Sequence, residues 1–409
     1  MRNLKSLRFV LLFVLLLIAV NPVMGRQDDA NVVVVPAGET IKVAVVTDLT
    51  GPIAEMGLDI QQGAEVALEE FNAAGGVEGW NVEFVVEDDR CSPDDGTLVA
   101  NRIVADPQVV AVVGHVCSGA TIAGSDLYEE ARIPMVSPSA TATLVTARGL
   151  DVMNRVAFSD GNQGTVDANY LYKVLGVRSL AIINDNDAYG LGLAEVVRDT
   201  FTDLGGEVVS FEGINVDDQD YRPVLTLVAA EEPEAIFFGG YKEQAILLIA
   251  QMQEVGLEDA IFFTDDGVYA QAFIDGAGDA SEGAYASFVE EAEVNAERNE
   301  EFDATYEEMF NVAPDDQGPF HAHAYDSAMI IFNALKEVAT VDDDGNLVID
   351  REALIAAVRG TTDYEGLTGT LTCDENGDCG AGTIGINQVV DGEWAPVEVP
   401  ADLLEMEAE

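Results

Sequence analysis

Along this chain, short apolar runs alternate with longer stretches in which apolar residues recur every three or four positions. Ile41 to Val46 is an apolar run, and Ile60, Ala64, Ala67, Leu68 and Phe71 then follow at helical spacing up to Gly75-Gly76. The run predicts a buried strand and the spacing a helix that stops at the glycine pair. Trp80 to Val86, Val109 to Val113 and Pro134 to Val136 predict three more strands, with a helix over Ile122 to Arg132 between the last two. After Ser179 the same programme restarts. Leu180 to Ile183 is strand-like, Leu193, Val196, Val197, Phe201 and Leu204 mark a helix face, and Gly205-Gly206 ends it. Ala235 to Phe238 and Ile261 to Phe263 add two strands around a helix over Ala245 to Val255. Alternation of this kind predicts an α/β protein with two Rossmann-like lobes, each a parallel sheet covered by helices on both faces.

Beyond Ala286 the pattern turns helical, near Glu300 to Phe310, Pro319 to Val338 and Asp350 to Arg359. A glycine-punctuated hairpin region, Gly366 to Trp394, follows, and residues 401–409 form an acidic tail expected to fray. At the other end Arg2, Lys5 and Arg8 precede the 12-residue apolar run Phe9 to Val20. That run has the length of a signal-peptide core and is short for a membrane span, so residues 1–25 are read as a cleaved leader. Absence of a cysteine near Gly25 argues against a lipid anchor, leaving a periplasmic or secreted product.

The 409 residues carry 75 Asp and Glu against 19 Lys and Arg, a net charge of −56. Repulsion of that size excludes general binding to nucleic acid or to anionic membrane. It fits a saline exterior and an ordinary acidic surface equally well.

Four cysteines in an exported chain predict two disulfides. Cys91 and Cys117 each follow a strand, at the same rim of strands read as neighbours, and form the first expected pair. Cys373 and Cys379 flank Asp374-Glu375-Asn376-Gly377-Asp378, a turn sequence suited to a cross-hairpin bridge. Zinc ligation would require closer C-x-x-C pairs.

His115, Cys117 and Ser118 place a base near two nucleophiles. No third orienting group accompanies them and the cysteine is committed to a disulfide, so a structural role for His115 is expected and an enzyme is not. His321 and His323 sit two apart on a helix, on opposite faces, and cannot share a metal. Asp342-Asp343-Asp344-Gly345 lacks the closing Glu of a calcium loop, with Arg351 in its place. Tyr189-Gly190-Leu191-Gly192 lacks nucleotide-binding spacing. No metal and no cofactor is expected. What remains is a rim of strand-end residues: Ser118, Ser139 and Thr141 on one lobe, Tyr189, Tyr241 and Asp266 on the other. Hydroxyls and amides at a helix start suit a carboxylate, an aspartate suits an ammonium, and tyrosines offer an apolar face with a polar tip. A zwitterion with a side chain satisfies all three.

Thr50-Gly51-Pro52, Phe71-Asn72-Ala73-Ala74-Gly75-Gly76, Gly114-His115-Val116-Cys117-Ser118, Ser137-Pro138-Ser139-Ala140-Thr141, Asp187-Ala188-Tyr189-Gly190 and Gly239-Gly240-Tyr241 together resemble the periplasmic leucine/isoleucine/valine-binding proteins. These are the type 1 substrate-binding proteins of branched-chain amino acid ABC transporters. The likeness runs from Ile41 to about Trp394. It implies that Ser118 and Thr141 hold a ligand carboxylate, and that Ser139, Ala140 and Thr141 line the same loop. The Ser139 backbone, the Thr141 hydroxyl and Asp266 would hold the ammonium, Asp266 standing where relatives carry Glu. Tyr189 and Tyr241 match the second-lobe aromatics, and Met56 stands where relatives often place an aromatic residue. The resemblance further implies a three-crossover hinge near Phe158, Glu290 and Gly369. Lobe 1 is then 41–158 plus 290–368, and lobe 2 is 159–289 plus 369–400. The expected protein is a monomer that passes an amino acid to a membrane permease. An amide, urea or small aromatic acid as ligand, or a sensory ligand-binding domain, stay open beside it.

Overall fold

The computed structural model describes residues 31–289, 296–314, 317–380 and 382–404. The expected leader and the expected crossing at Glu290 lie outside them. β1 (Val32–Val35) runs along the perimeter of the first lobe. β2 (Ile41–Thr47), β3 (Val82–Asp88), β4 (Val109–Val113), β5 (Met135–Ser137) and β6 (Met153–Arg155) form its central sheet, in the order β3-β2-β4-β5-β6 with every neighbouring pair parallel. The connections carry α1 (Ala54–Ala73), α2 (Pro93–Ala105), α3 (Ser118–Ala131) and the short α4 (Leu144–Ala147). Val43 and Val45 join Ile60 and Ala64 of α1 in the core on one face of this sheet, while Ala44 and Val46 join Val99 and Ile103 of α2 on the other. Burial on both faces is why the run is apolar at successive positions.

After β6 the chain passes into the second lobe as α5 (Asp160–Asn169), which ends in one π turn. There β7 (Ser179–Asn184), α6 (Ala188–Asp203), β8 (Glu207–Gly213), α7 (Arg222–Ala229), β9 (Ala235–Gly239), α8 (Lys242–Met252), β10 (Ile261–Thr264), α9 (Gln271–Ala277) and β11 (Tyr285–Val289) continue the alternation. These five strands pair parallel with one another. The chain then returns to the first lobe as α10 (Ala296–Phe310), α11 (His321–Val338), β12 (Thr340–Val341), β13 (Leu347–Asp350) and α12 (Arg351–Arg359). α11 lies along α1, and Gly63 of α1 approaches the His321 carbonyl so closely that a Cβ there would overlap it. β13 pairs antiparallel with both β1 and β12.

Several expectations change at this level. Cys91 and Cys117 are bonded, yet β3 and β4 are not neighbours. β2 lies between them, and the two loops meet across its end. α3 begins at Ser118, four residues before the apolar spacing does. The region after Gly366 is not one hairpin. β14 (Tyr364–Glu365) and β15 (Thr370–Leu371) pair with each other. The Cys373–Cys379 loop, closed by its disulfide, then docks on β6 through the Arg155 amide to the Gly377 carbonyl and the Cys379 amide to the Arg155 carbonyl, both at 2.9 Å. The third crossing therefore falls after Cys379, some ten residues later than Gly369. β16 (Ile384–Val390) and β17 (Glu393–Val397) then extend the second sheet antiparallel from β11, so its order is β17-β16-β11-β10-β9-β7-β8 and one edge is mixed. In the expected tail, residues 401–404 form a helical turn with Leu403 buried. Among the described residues no helix is long and apolar enough to cross a membrane.

Candidate ligand-binding site

Parallel strands point their carboxyl ends at one rim, and the loops there carry the side chains that meet between the lobes. Ser118, Ser139 and Met56 from the first lobe and Tyr189, Tyr241 and Asp266 from the second line one cavity, together with Ile53, Val116, Gly267 and Phe320, with a volume of only about 10 Å³. That is room for about one water, so the lobes stand closed here and have to part to admit an amino acid. Ala140 and Thr141 lie on the same loop, fully buried, and are absent from the pocket lining.

Ser118 is the first residue of α3 and does not cap it; the N-cap position belongs to Cys117. Its hydroxyl accepts the Ala142 amide at 3.2 Å, which ties the α3 start to the loop carrying Ser139 to Thr141. Ser139 donates to the Val116 carbonyl at 3.0 Å, and Ser137 donates to the His115 carbonyl at 2.6 Å while accepting the Ala140 amide at 3.0 Å. His115 is buried between Asp89, 2.6 Å from its Nδ1, and the Tyr128 hydroxyl, 3.0 Å from its Nε2. Asp89 also accepts the Cys91 amide at 3.0 Å. The histidine thus pins the disulfide loop and the binding turn together, the structural role expected for it.

On the second lobe the Asp266 carboxylate is buried and accepts the Tyr189 hydroxyl at 2.7 Å and the Gln163 amide at 2.9 Å. Burial pushes its pKa up to about 6, against the pull of those two donors. The Tyr189 hydroxyl also accepts the Gly267 amide at 3.0 Å, and its ring lies 5.2 Å from that of Tyr241. Beside this pair stand more buried acids. Asp160 is driven up to about 8 by burial and then by the Asp266 charge, and Asp185 to about 7 by burial. Asp265 is also raised, by burial first and Asp266 second.

Three supporting residues escaped the sequence reading. Arg155, buried, donates through Nη1 to the carbonyls of Ala140, Thr141 and Ala142 at 3.1, 2.6 and 3.0 Å, and its Nε pairs with Asp378 of the second disulfide loop. Gln163 bridges Asp266 and Ser287. Asp160 donates its amide to the Thr141 carbonyl at 2.9 Å, and neither of its carboxylate oxygens has a hydrogen-bond partner among the described residues. The Thr141 hydroxyl is likewise buried, and it sits close enough to the Asp160 carboxylate to lower that group's proton affinity. A lone arginine and a Ser-Asp-Gly helix start look like surface and capping residues in sequence, and no local signal set them apart.

His321 and His323 both begin α11. His321 meets Asp59 at 3.0 Å, and His323, its pKa lowered to about 3 by burial and then by His321, packs against Phe288 and Phe320. Among the described residues no cluster of three or more His, Cys, Asp or Glu is arranged to hold a metal.

Two α/β lobes that close over a small pocket with hydroxyls at one end and a carboxylate at the other define a clamshell ligand-binding protein. The chain belongs to the periplasmic binding protein family, which matches residues 40–393. Members bind a transported substrate and are not enzymes. A leucine-, isoleucine-, valine-, threonine- and alanine-binding protein of Pseudomonas aeruginosa is 34% identical over 342 residues, covering 84% of this chain and 88% of the relative. Among solved structures, a leucine-binding protein of Thermotoga maritima superposes with a TM-score of 0.78 at 28% identity, covering 89% of this chain and 100% of that one. A branched-chain amino acid transporter substrate-binding protein of Streptococcus pneumoniae in complex with isoleucine gives 0.76 at 28% identity, covering 88% and 99%.

Proposed function

We propose that this protein captures a branched-chain amino acid between its lobes and delivers it to the membrane permease of an ABC importer. The carrying observation is that both lobes line one closed cavity, Ser118 and Ser139 from one side and Asp266 from the other, with the Thr141 hydroxyl buried beside Asp160 on the loop that carries Ser139. In this reading Ser118 and Thr141 hold the ligand carboxylate. The Ser139 backbone, the Thr141 hydroxyl and Asp266 hold the ammonium, and the small Ala140 keeps the loop close. Met56, Ile53, Val116 and Phe320 offer the side chain an apolar wall, which favours an aliphatic group over an amide or urea. Tyr189 and Tyr241 close the pocket from the second lobe.

The protein works as a monomer outside the cytoplasm once residues 1–25 have been removed. The lobes swing about the passages that join them, among them those near Phe158 and after Cys379, and the closed form is what the permease meets. Thr141→Ala and Asp266→Asn are each expected to weaken leucine binding by about 1.5–3 kcal/mol, the worth of a hydrogen bond to a charged group. Calorimetric titration of both variants checks this, and unchanged affinity in both removes the site assignment.

A further inference from the structure

Beside the pocket, the first turn of α8 in the second lobe faces α1 in the first. Lys242 forms an ion pair with Glu55, its side chain 13% exposed against 47% for the glutamate. That pair joins one lobe to the other, whereas the pairs of Arg132 with Glu129, Arg148 with Asp126, Arg198 with Glu195 and Arg222 with Glu254 stay within a lobe. The preceding residue, Tyr241, places its hydroxyl 3.8 Å from Cys91 Sγ. On the same rim a Cβ built on Gly119 would lie 2.8 Å from an Asp187 carboxylate oxygen of the second lobe, so the lobes touch there and the Asp187 side chain would have to turn aside for any substituent. Contact between the lobes thus extends beyond the ligand pocket.

The following residue is Glu243, whose carboxylate feels the Lys242 charge. One of its carboxylate oxygens is buried with no partner among the described residues. Burial chiefly raises its proton affinity, Lys242 lowers it, and the charges of Glu55 and Asp48 on the facing lobe raise it further. Closing the lobes therefore brings one favourable and one unfavourable charge of α8 against the same acidic patch.

We propose that Lys242 and Glu243 are positioning residues that set how long the lobes stay closed on the ligand, with opposite signs and without touching it. Lys242 holds the clamp shut through Glu55, and Glu243 pushes it open against Glu55 and Asp48. This rests on the reading of the protein as a clamp that closes over a small ligand. In an acidic chain with 19 basic residues, one lysine at the rim outweighs its share of the total charge, because its largely buried ammonium is screened less by salt than a fully exposed one.

The test is stopped-flow release of leucine from the full chain. For a partly exposed pair the expected change is roughly two- to five-fold. Lys242→Gln should release leucine faster by that factor and Glu243→Gln slower by a similar one, with melting temperatures unchanged. Lys242→Glu should be faster still, and adding Glu55→Lys to it should restore the slow rate. Equal rates for Lys242→Glu with and without Glu55→Lys would overturn the proposal, as would faster release from Glu243→Gln. If the wild-type chain binds no leucine, the functional reading fails on its own. The latch is then read from small-angle scattering of the unliganded chains, where Lys242→Glu should be more extended than the charge-swapped pair; identical radii of gyration would overturn it.

Discussion

In the proposed site Asp266 is the group that meets the ligand ammonium, and its environment should make binding depend on pH. In the free protein its pKa lies near 6 and that of Asp160 near 8, so both carry protons over part of the neutral range. A ligand ammonium pairs with the charged carboxylate, and binding therefore lowers these pKa values and expels protons. Affinity should rise as pH climbs through about 6 and about 8, levelling off above that as the protons are lost, and should fall below about 6. Titrations in buffers of different ionisation enthalpy should register proton release; uptake, or affinity falling across that range, would refute this assignment. At this scale the sequence was partly legible. Ser118, Ser139, Tyr189, Tyr241 and Asp266 could be singled out because strand ends rich in hydroxyls and aromatics share a rim. Asp160, Gln163 and Arg155 could not, since their partners come from segments 9 to 223 positions away and nothing local marks them.

Elements were legible where burial on two faces made them apolar throughout. β2, β4, β7, β9 and β10 fall within a residue or two of their apolar runs. β6, whose Asn154 and Arg155 are buried polar residues, carries no such run and was missed. Strand order is invisible in a run of valines, which is why β3 and β4 were read as neighbours. The Cys373–Cys379 loop shows the cost of local reading. Its turn is real, with Asp374 accepting the amides of Asn376, Gly377 and Asp378 at 2.8, 2.8 and 2.9 Å. Yet it serves to hold Asp378 against Arg155, and through Arg155 the Thr141 backbone. The first disulfide spans 26 positions, and replacing both Cys91 and Cys117 by serine should cost about 3 kcal/mol of stability. The same change should weaken leucine binding, because it frees the loops leading to Ser118 and removes the sulfur facing Tyr241. Chemical denaturation and titration of one variant check both effects; a stability loss with wild-type affinity would separate the disulfide from the site.

For the whole molecule, two repeats of one strand-helix programme yield two lobes, and the interior between them is where the acids collect. A net charge of −56 sets the lobes against each other, so closure requires specific contacts to overcome a general repulsion. The pocket offers hydroxyls and amides on one side and a carboxylate on the other, and the ligand that balances both must carry opposite charges of its own. That is the central claim, and calorimetric titration of the mature chain with leucine, isoleucine and valine at neutral pH tests it most directly. The account predicts saturable binding of at least one of them, with one molecule per chain and no turnover. Absence of binding for all three, at protein concentrations where a relative of this fold would be saturated, would contradict it.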